Sequence, residues 1–169
     1  MKKTLLIFIT FSTLLLADVT RDSATSTVSD TTTNLQWQDN VDVNTTTLNW
    51  NDAIDYCEAM NIGGYDDWRM PNINELLSIA DKQRTTAPAI NDIFEYVAYS
   101  PNNLAEYNTL TWSSTSSKEA NTGEQEYERA FTVNFNYGDE FSYWGAAGSN
   151  DDQTKKTSNN YVRCVRGGL

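Results

Sequence analysis

Gly63-Gly64-Tyr65-Asp66-Asp67-Trp68-Arg69-Met70-Pro71-Asn72-Ile73-Asn74-Glu75-Leu76 is the stretch whose reading decides the fold of this chain. The paired glycines admit a tight turn. Pro71 has no backbone N–H and drives Met70 toward extended backbone, so the element before it must stop there. Asn72 with Glu75 three residues on is a capped helix start, and Ile73, Leu76, Leu77 and Ala80 follow at helical spacing. A helix ending near Asp81 is expected. Between turn and proline, Trp68 and Arg69 read as a core ring beside an arginine that pins loop carbonyls or pairs with Glu75.

Upstream, Asn49 can cap a helix starting at Trp50, with Asp52 at its third position. Trp50, Ala53, Ile54, Cys57 and Met60 share one face, which places Cys57 in the core. A shorter helical turn is expected over Ile90 to Val97. The remaining elements read as strands: Thr32 to Gln38, Leu110 to Ser114 around Trp112, and Arg129 to Phe135, where Phe131, Val133 and Phe135 alternate with polar neighbours. Tyr137-Gly138-Asp139 turns the chain and Phe141 to Trp144 returns it, giving a hairpin with one buried face. Tyr161 to Val165 is expected to be the final strand. Two segments rich in glycine, serine and acid, Ser116 to Glu128 and Gly145 to Asn160, read as exposed loops.

Lys2 and Lys3 precede an apolar run from Leu5 to Leu16 that ends at Ala17 before polar Asp18. That run is about a dozen residues, short of the roughly 20 that span a bilayer. It reads as a signal peptide over residues 1–17, leaving one domain over 18–169 and no transmembrane segment in the mature chain. Without those two lysines, ten basic residues face 23 acidic ones, a balance of about −13 that repels nucleic acid and anionic lipid. Neutral glycans, proteins and cations remain as partners. The localisation expected is periplasmic, secreted or at the cell surface.

Two cysteines in an exported chain favour a mutual bridge, Cys57 to Cys164, tying an early helix to the last strand. The alternative is a catalytic or metal-bound thiol, for which the sequence offers no partner. The chain has no histidine, which removes nucleophiles that rely on a histidine base and the usual zinc sites.

Trp50-x-x-Ala53-x-x-x-Cys57, Gly64-Tyr65-x-Asp67-Trp68-Arg69-Met70-Pro71, Glu75-Leu76, Trp112-Ser113-Ser114, a Phe-rich strand with a glycine turn, and Val162-Arg163-Cys164-Val165-Arg166 occur in that order. The pattern closely resembles the Lcl C-terminal domain family, named after a bacterial collagen-like adhesin, over about Thr32 to Gly167. Met70 stands where that family usually has leucine. The resemblance implies an α+β, C-type-lectin-like fold: two helices on a small twisted antiparallel sheet, with long loops and one disulfide. It makes Trp50, Gly64, Trp68, Arg69, Pro71, Glu75, Trp112 and Arg163 structural residues, and it implies adhesion to host or matrix rather than a reaction.

Trp50-Asn51-Asp52 spells the triplet of calcium-dependent lectins, but at the start of a helix rather than on a late strand. Ser100-Pro101-Asn102 lacks the ligand that a Glu-Pro-Asn or Gln-Pro-Asp triplet carries first. Asn40, Asp42 and Asn44 alternate like the opening of an EF-hand loop, which then fails at Thr45 and at Asn51, where glycine and glutamate are needed. No metal or cofactor is expected, calcium being the one cation left open. Asp42-Val43-Asn44-Thr45-Thr46 also matches an acid-extended N-glycosylation sequon.

Ligand-binding candidates are the aromatic residues near loops: Tyr137, Tyr143 and Trp144 beside the hairpin turn, with Tyr107 and Tyr127 bordering other loops. Flat rings there can stack on sugars or anchor a protein. The expected function is a non-enzymatic recognition or adhesion module for a glycan or an extracellular or envelope protein. The alternatives are a structural subunit of an envelope assembly, or a relative of the formylglycine-generating enzymes without their catalytic cysteine pair.

Overall fold

Two sheets and two helices build the domain in the computed structural model, which describes residues 19–81, 83–99, 109–116, 129–136 and 153–167. The first sheet is antiparallel, in the order β1 (Val19–Asp22), β2 (Thr27–Asp30), β3 (Leu35–Gln38), β9 (Val165–Gly167). The second runs β4 (Thr47–Leu48), β8 (Asn160–Tyr161), β5 (Leu110–Ser116), β6 (Arg129–Asn134), β7 (Gln153–Lys155). Its β5–β8 pair is parallel, with Thr111 opposite Tyr161. The single antiparallel sheet expected from the sequence is thus two sheets, one of them mixed.

The strands β1 and β2 escape a sequence reading because each carries one apolar residue in four. Their turns are nevertheless well made. Asp22 accepts the Ala24 N–H, Asp30 accepts the Thr32 N–H and the Thr33 hydroxyl, and Ser26 and Asn34 take positive φ of 54° and 57°. Expected to begin at Thr32, β3 starts only at Leu35, after that second turn.

The first core joins Val28, Leu35, Trp37 and Val165 of the first sheet to Leu76, Ile79, Ile90, Phe94 and Val97, and to Val133 and Phe135. A second core holds Ala53, Cys57 and Met60 against Trp68, Met70, Trp112, Ala130, Val162 and Cys164. Between these cores runs β6. Its Val133, with Phe135 just past its end, enters the first, while Ala130, Thr132 and Asn134 on the other face are buried as well. A hairpin with one wet face was expected; the polar side of this strand is instead covered, with the Thr132 hydroxyl 3.4 Å from that of Thr154.

Helix α1 (Trp50–Glu58) starts where Asn49 accepts the Asp52 N–H at 3.1 Å. Helix α2 (Ile73–Ser78) has a full capping box: Asn72 accepts the Glu75 N–H at 2.9 Å and Glu75 accepts the Asn72 N–H at 2.8 Å. A six-residue helix has almost no stability of its own, so the box and the burial of Leu76 hold it. It stops short of Asp81 because Ala80 turns away to bridge Ile90.

Ile90 to Val97 is not helical. The Ile93 N–H is taken by the Asn91 side chain, and the Glu95 and Tyr96 N–H groups by the Asp39 carboxylate at 3.1 Å each. Those donors would have carried the helix. The expected strand Tyr161 to Val165 also divides: β8 ends at Tyr161, Val162 to Cys164 cross between the sheets fully buried, and β9 begins at Val165.

A pinned framework and a loop-bearing end as candidate functional site

The turn at Gly63 and Gly64 has φ of 66° and 80°, the left-handed region that glycine enters without cost. It brings Tyr65 back to bridge Ile62 and leads into Trp68, which is 2% exposed and donates its indole N–H to the Ile62 carbonyl. Arg69 and Val165 exchange backbone hydrogen bonds at 2.9 Å in both directions. The Arg69 guanidinium forks onto Glu75 at 2.8 and 2.6 Å and reaches the Gly167 carbonyl at 3.2 Å. Burial pushes the Glu75 carboxyl up, but the hydrogen bonds from Arg69 and the Asn72 N–H, with the Arg69 charge, hold it below its ordinary value. One residue thereby fixes both the cap of α2 and the edge of β9.

The Pro71 carbonyl accepts the Ser114 N–H, and Thr115 accepts the Ile73 N–H, so the same stretch is stapled to β5. Two other tryptophans act alike: Trp50 donates to the Ser113 carbonyl and Trp112 to that of Leu48. Arg166 lies 3.5 Å from the Tyr65 ring centroid and grips Asp67 through two nitrogens.

Arg163, 1% exposed, is paired with Asp39, 0% exposed, at 3.5 Å, and donates to the carbonyls of Gln38 and Tyr96. Burial pulls its pKa down to about 10, against the opposing charge of Asp39. Arg21 completes the group, 2.5 Å from Asp39 and 2.7 Å from Glu95. Losing one partner of such a buried pair costs about 3–5 kcal/mol, because the other charge stays behind unmatched. Beside it Gln38 accepts the Cys164 N–H at 3.0 Å. Sequence reasoning passed over Asp39, Arg21 and Gln38, since a polar residue within or just after a short strand carries no local sign of burial. The Cys57–Cys164 bridge closes the framework with both cysteines at 0% exposure.

All five ligand-binding candidates, Tyr107, Tyr127, Tyr137, Tyr143 and Trp144, lie outside the described residues, as do the expected return strand Phe141 to Trp144 and the triplet Ser100-Pro101-Asn102. Their anchor points are described. Segment 117–128 departs from Ser116 and rejoins at Arg129, at one end of the β5–β6 ladder. Segments 100–108 and 137–152 attach at the other end, through Thr109 and Asn136. There a buried polar cluster is built: Asn136 donates to the Thr109 hydroxyl at 2.8 Å and its N–H to Asn134 at 2.9 Å, all three residues being 5% exposed or less. In sequence, Tyr107 falls in segment 100–108, Tyr137, Tyr143 and Trp144 in segment 137–152, and Tyr127 in segment 117–128.

A cavity of about 260 Å³ opens between the first sheet and α2, with Asp30, Trp37, Ser78, Asp81, Asn91 and Phe94 in its wall. The Trp37 indole N–H, fully buried, has no partner among the described residues. Among those residues no group of three or more histidine, cysteine or acidic side chains can hold a metal. Of the EF-hand-like positions, Asp42 accepts from the Asn40 amide and the Tyr56 hydroxyl, which engages one of its oxygens.

Fold and framework define a disulfide-closed α+β domain. The chain belongs to the Lcl C-terminal domain family: the model of that family matches residues 26–166, from the turn before β2 to Arg166 in β9. No curated protein and no solved structure matches it. No helix among the described residues is long and apolar enough to cross a membrane.

Proposed function

We propose that this protein is an exported recognition or adhesion module of C-type-lectin-like fold, binding a glycan or protein ligand through the segments that leave the β5–β6 ladder. The observation that carries the reading is the Thr109, Asn134 and Asn136 end, where a buried, hydrogen-bonded polar cluster lies at the attachment points of segments 100–108 and 137–152, whose sequences hold Tyr107, Tyr137, Tyr143 and Trp144. Aromatic rings provide stacking area at little entropic cost.

Burial of the Cys57–Cys164 bridge supports a non-enzymatic role, since thiol chemistry needs an accessible, ionisable sulfur. A disulfide also favours an oxidising compartment, in line with a leader over residues 1–17. The mature protein presented to glycan and matrix-protein arrays, with calcium and with chelator, should show saturable capture of one ligand class. Trp144→Ala should abolish that capture with the melting temperature nearly unchanged. Unfolding of the variant would place Trp144 in the core, and silence on every array would turn the reading toward an envelope subunit.

A further inference from the structure

Asn44 is the one asparagine in the chain followed two residues on by serine or threonine, and Asp42 stands two residues before it. The structure sets this pentapeptide on a surface turn. Val41–Asn44 form a single 3-10 turn held down by Val43, 2% exposed, with Asn44 and Thr45 exposed. The turn is closed from the backbone: the Thr45 and Thr46 N–H groups reach the Asp42 carbonyl, and the Thr45 hydroxyl returns to the Val41 carbonyl.

What the fold leaves unused is the informative part. Among the described residues the Asn44 side-chain amide makes no hydrogen bond, nor does the Thr46 hydroxyl, and Asp42 commits only Oδ2, to Asn40 and Tyr56. The acceptor amide, the hydroxyl at plus two and a carboxylate oxygen at minus two are the groups an acid-requiring oligosaccharyltransferase must reach, and among the described residues none of the three has a partner while its neighbours are bonded. Backbone within a sheet could not bend into a transferase without breaking ladder hydrogen bonds; a one-turn surface segment loses little by doing so.

We infer that Asn44 is an N-glycosylation acceptor, modified on the folded domain by a transferase that uses a polyprenyl-pyrophosphate-linked oligosaccharide. The Asn44 amide nitrogen forms a bond to the anomeric carbon, and the bond from that carbon to the pyrophosphate oxygen breaks. The pyrophosphate leaves with the electron pair on its lipid, and one amide proton passes to a base of the transferase. The inference rests on the export reading, because such transferases face the outside of the cytoplasmic membrane.

The test has two arms. Native protein recovered from the envelope is subjected to N-terminal sequencing and intact-mass measurement, which separate export from modification. A mature N-terminus with an oligosaccharide mass on the peptide holding Asn44 is the expected result. A mature N-terminus with no added mass overturns the glycosylation and leaves export standing; an uncleaved cytoplasmic chain overturns both. In the second arm, folded protein is incubated with an acid-requiring bacterial oligosaccharyltransferase and a polyprenyl-pyrophosphate-linked oligosaccharide. Wild type and Thr46→Ser should gain the glycan, and Asn44→Gln, Asp42→Asn and Thr46→Val should not. Asp42→Asn keeps an oxygen for Asn40 and Tyr56, so its melting temperature should match wild type. Failure of folded wild type to react, or equal reaction of Asp42→Asn, would overturn the assignment.

Discussion

Glu75 shows how much one side chain can do in this fold, since it accepts from Arg69 twice and from the Asn72 N–H, so its loss releases a helix cap and a guanidinium together. Glu75→Gln should cost about 1.5–3 kcal/mol at neutral pH, the range for hydrogen bonds to charged groups. Its carboxyl is depressed on folding from the ordinary 4.5, so the stabilisation is complete above that pH and is lost as pH falls through the folded value. Urea titrations across the acid range should therefore show a flatter limb for the variant; parallel limbs would mean that the pair contributes nothing. Two buried tryptophans provide a second comparison. Trp112 and Trp37 are both 0% exposed, but Trp112 donates to Leu48 and Trp37 donates to nothing among the described residues. Replacement by phenylalanine removes similar area at each, so Trp112→Phe should be the costlier by about 1 kcal/mol, the net value of one hydrogen bond. Equal losses in denaturant midpoints would show that the Trp37 N–H is bonded after all.

Among the elements, α1 and the crossover Val162 to Cys164 depend on each other through the bridge, which closes a loop of about 100 residues worth roughly 4–5 kcal/mol in the chain-entropy model. Reduction, or the paired change of Cys57 and Cys164 to alanine, should lower unfolding free energy by that order; a drop under about 1 kcal/mol would mean the surrounding core already confines the two segments. Both helices were legible because their signals are local: Asn49 with Asp52, and Asn72 with Glu75, lie three residues apart. Pairing was less so. Nothing within Tyr161 to Val165 says that its halves join different sheets, since their antiparallel partners, Thr47 to Leu48 and Leu35 to Trp37, lie over a hundred residues away and the parallel partner Thr111 lies about fifty. Nor does polarity reveal that Thr132 and Asn134 are buried, as hydrogen bonding and not composition permits it. At the candidate site the polar segments and aromatic residues stood out in the sequence, but the Thr109 and Asn136 cluster at their attachment points is assembled across 27 positions and leaves no periodic trace.

Taken as a molecule, the domain is completed late. Residues 160–167 supply a strand to each sheet, the buried Arg163 and one half of the bridge. A chain cut after Asn159 should therefore lack a cooperative transition in denaturant and bind hydrophobic dye; a sigmoidal unfolding curve for that fragment would show that β1 to β3 with α2 form a core unaided. The same geometry governs the order of events during synthesis. The first three strands exist as chain long before their closing partner leaves the ribosome, and the pairings that finish the fold are the most distant ones, hence the slowest to find. Until that moment neither sheet has its full set of strands, and afterwards one covalent bridge locks the last residues to a helix written about a hundred positions earlier. The fold is thus withheld until its final words are spoken.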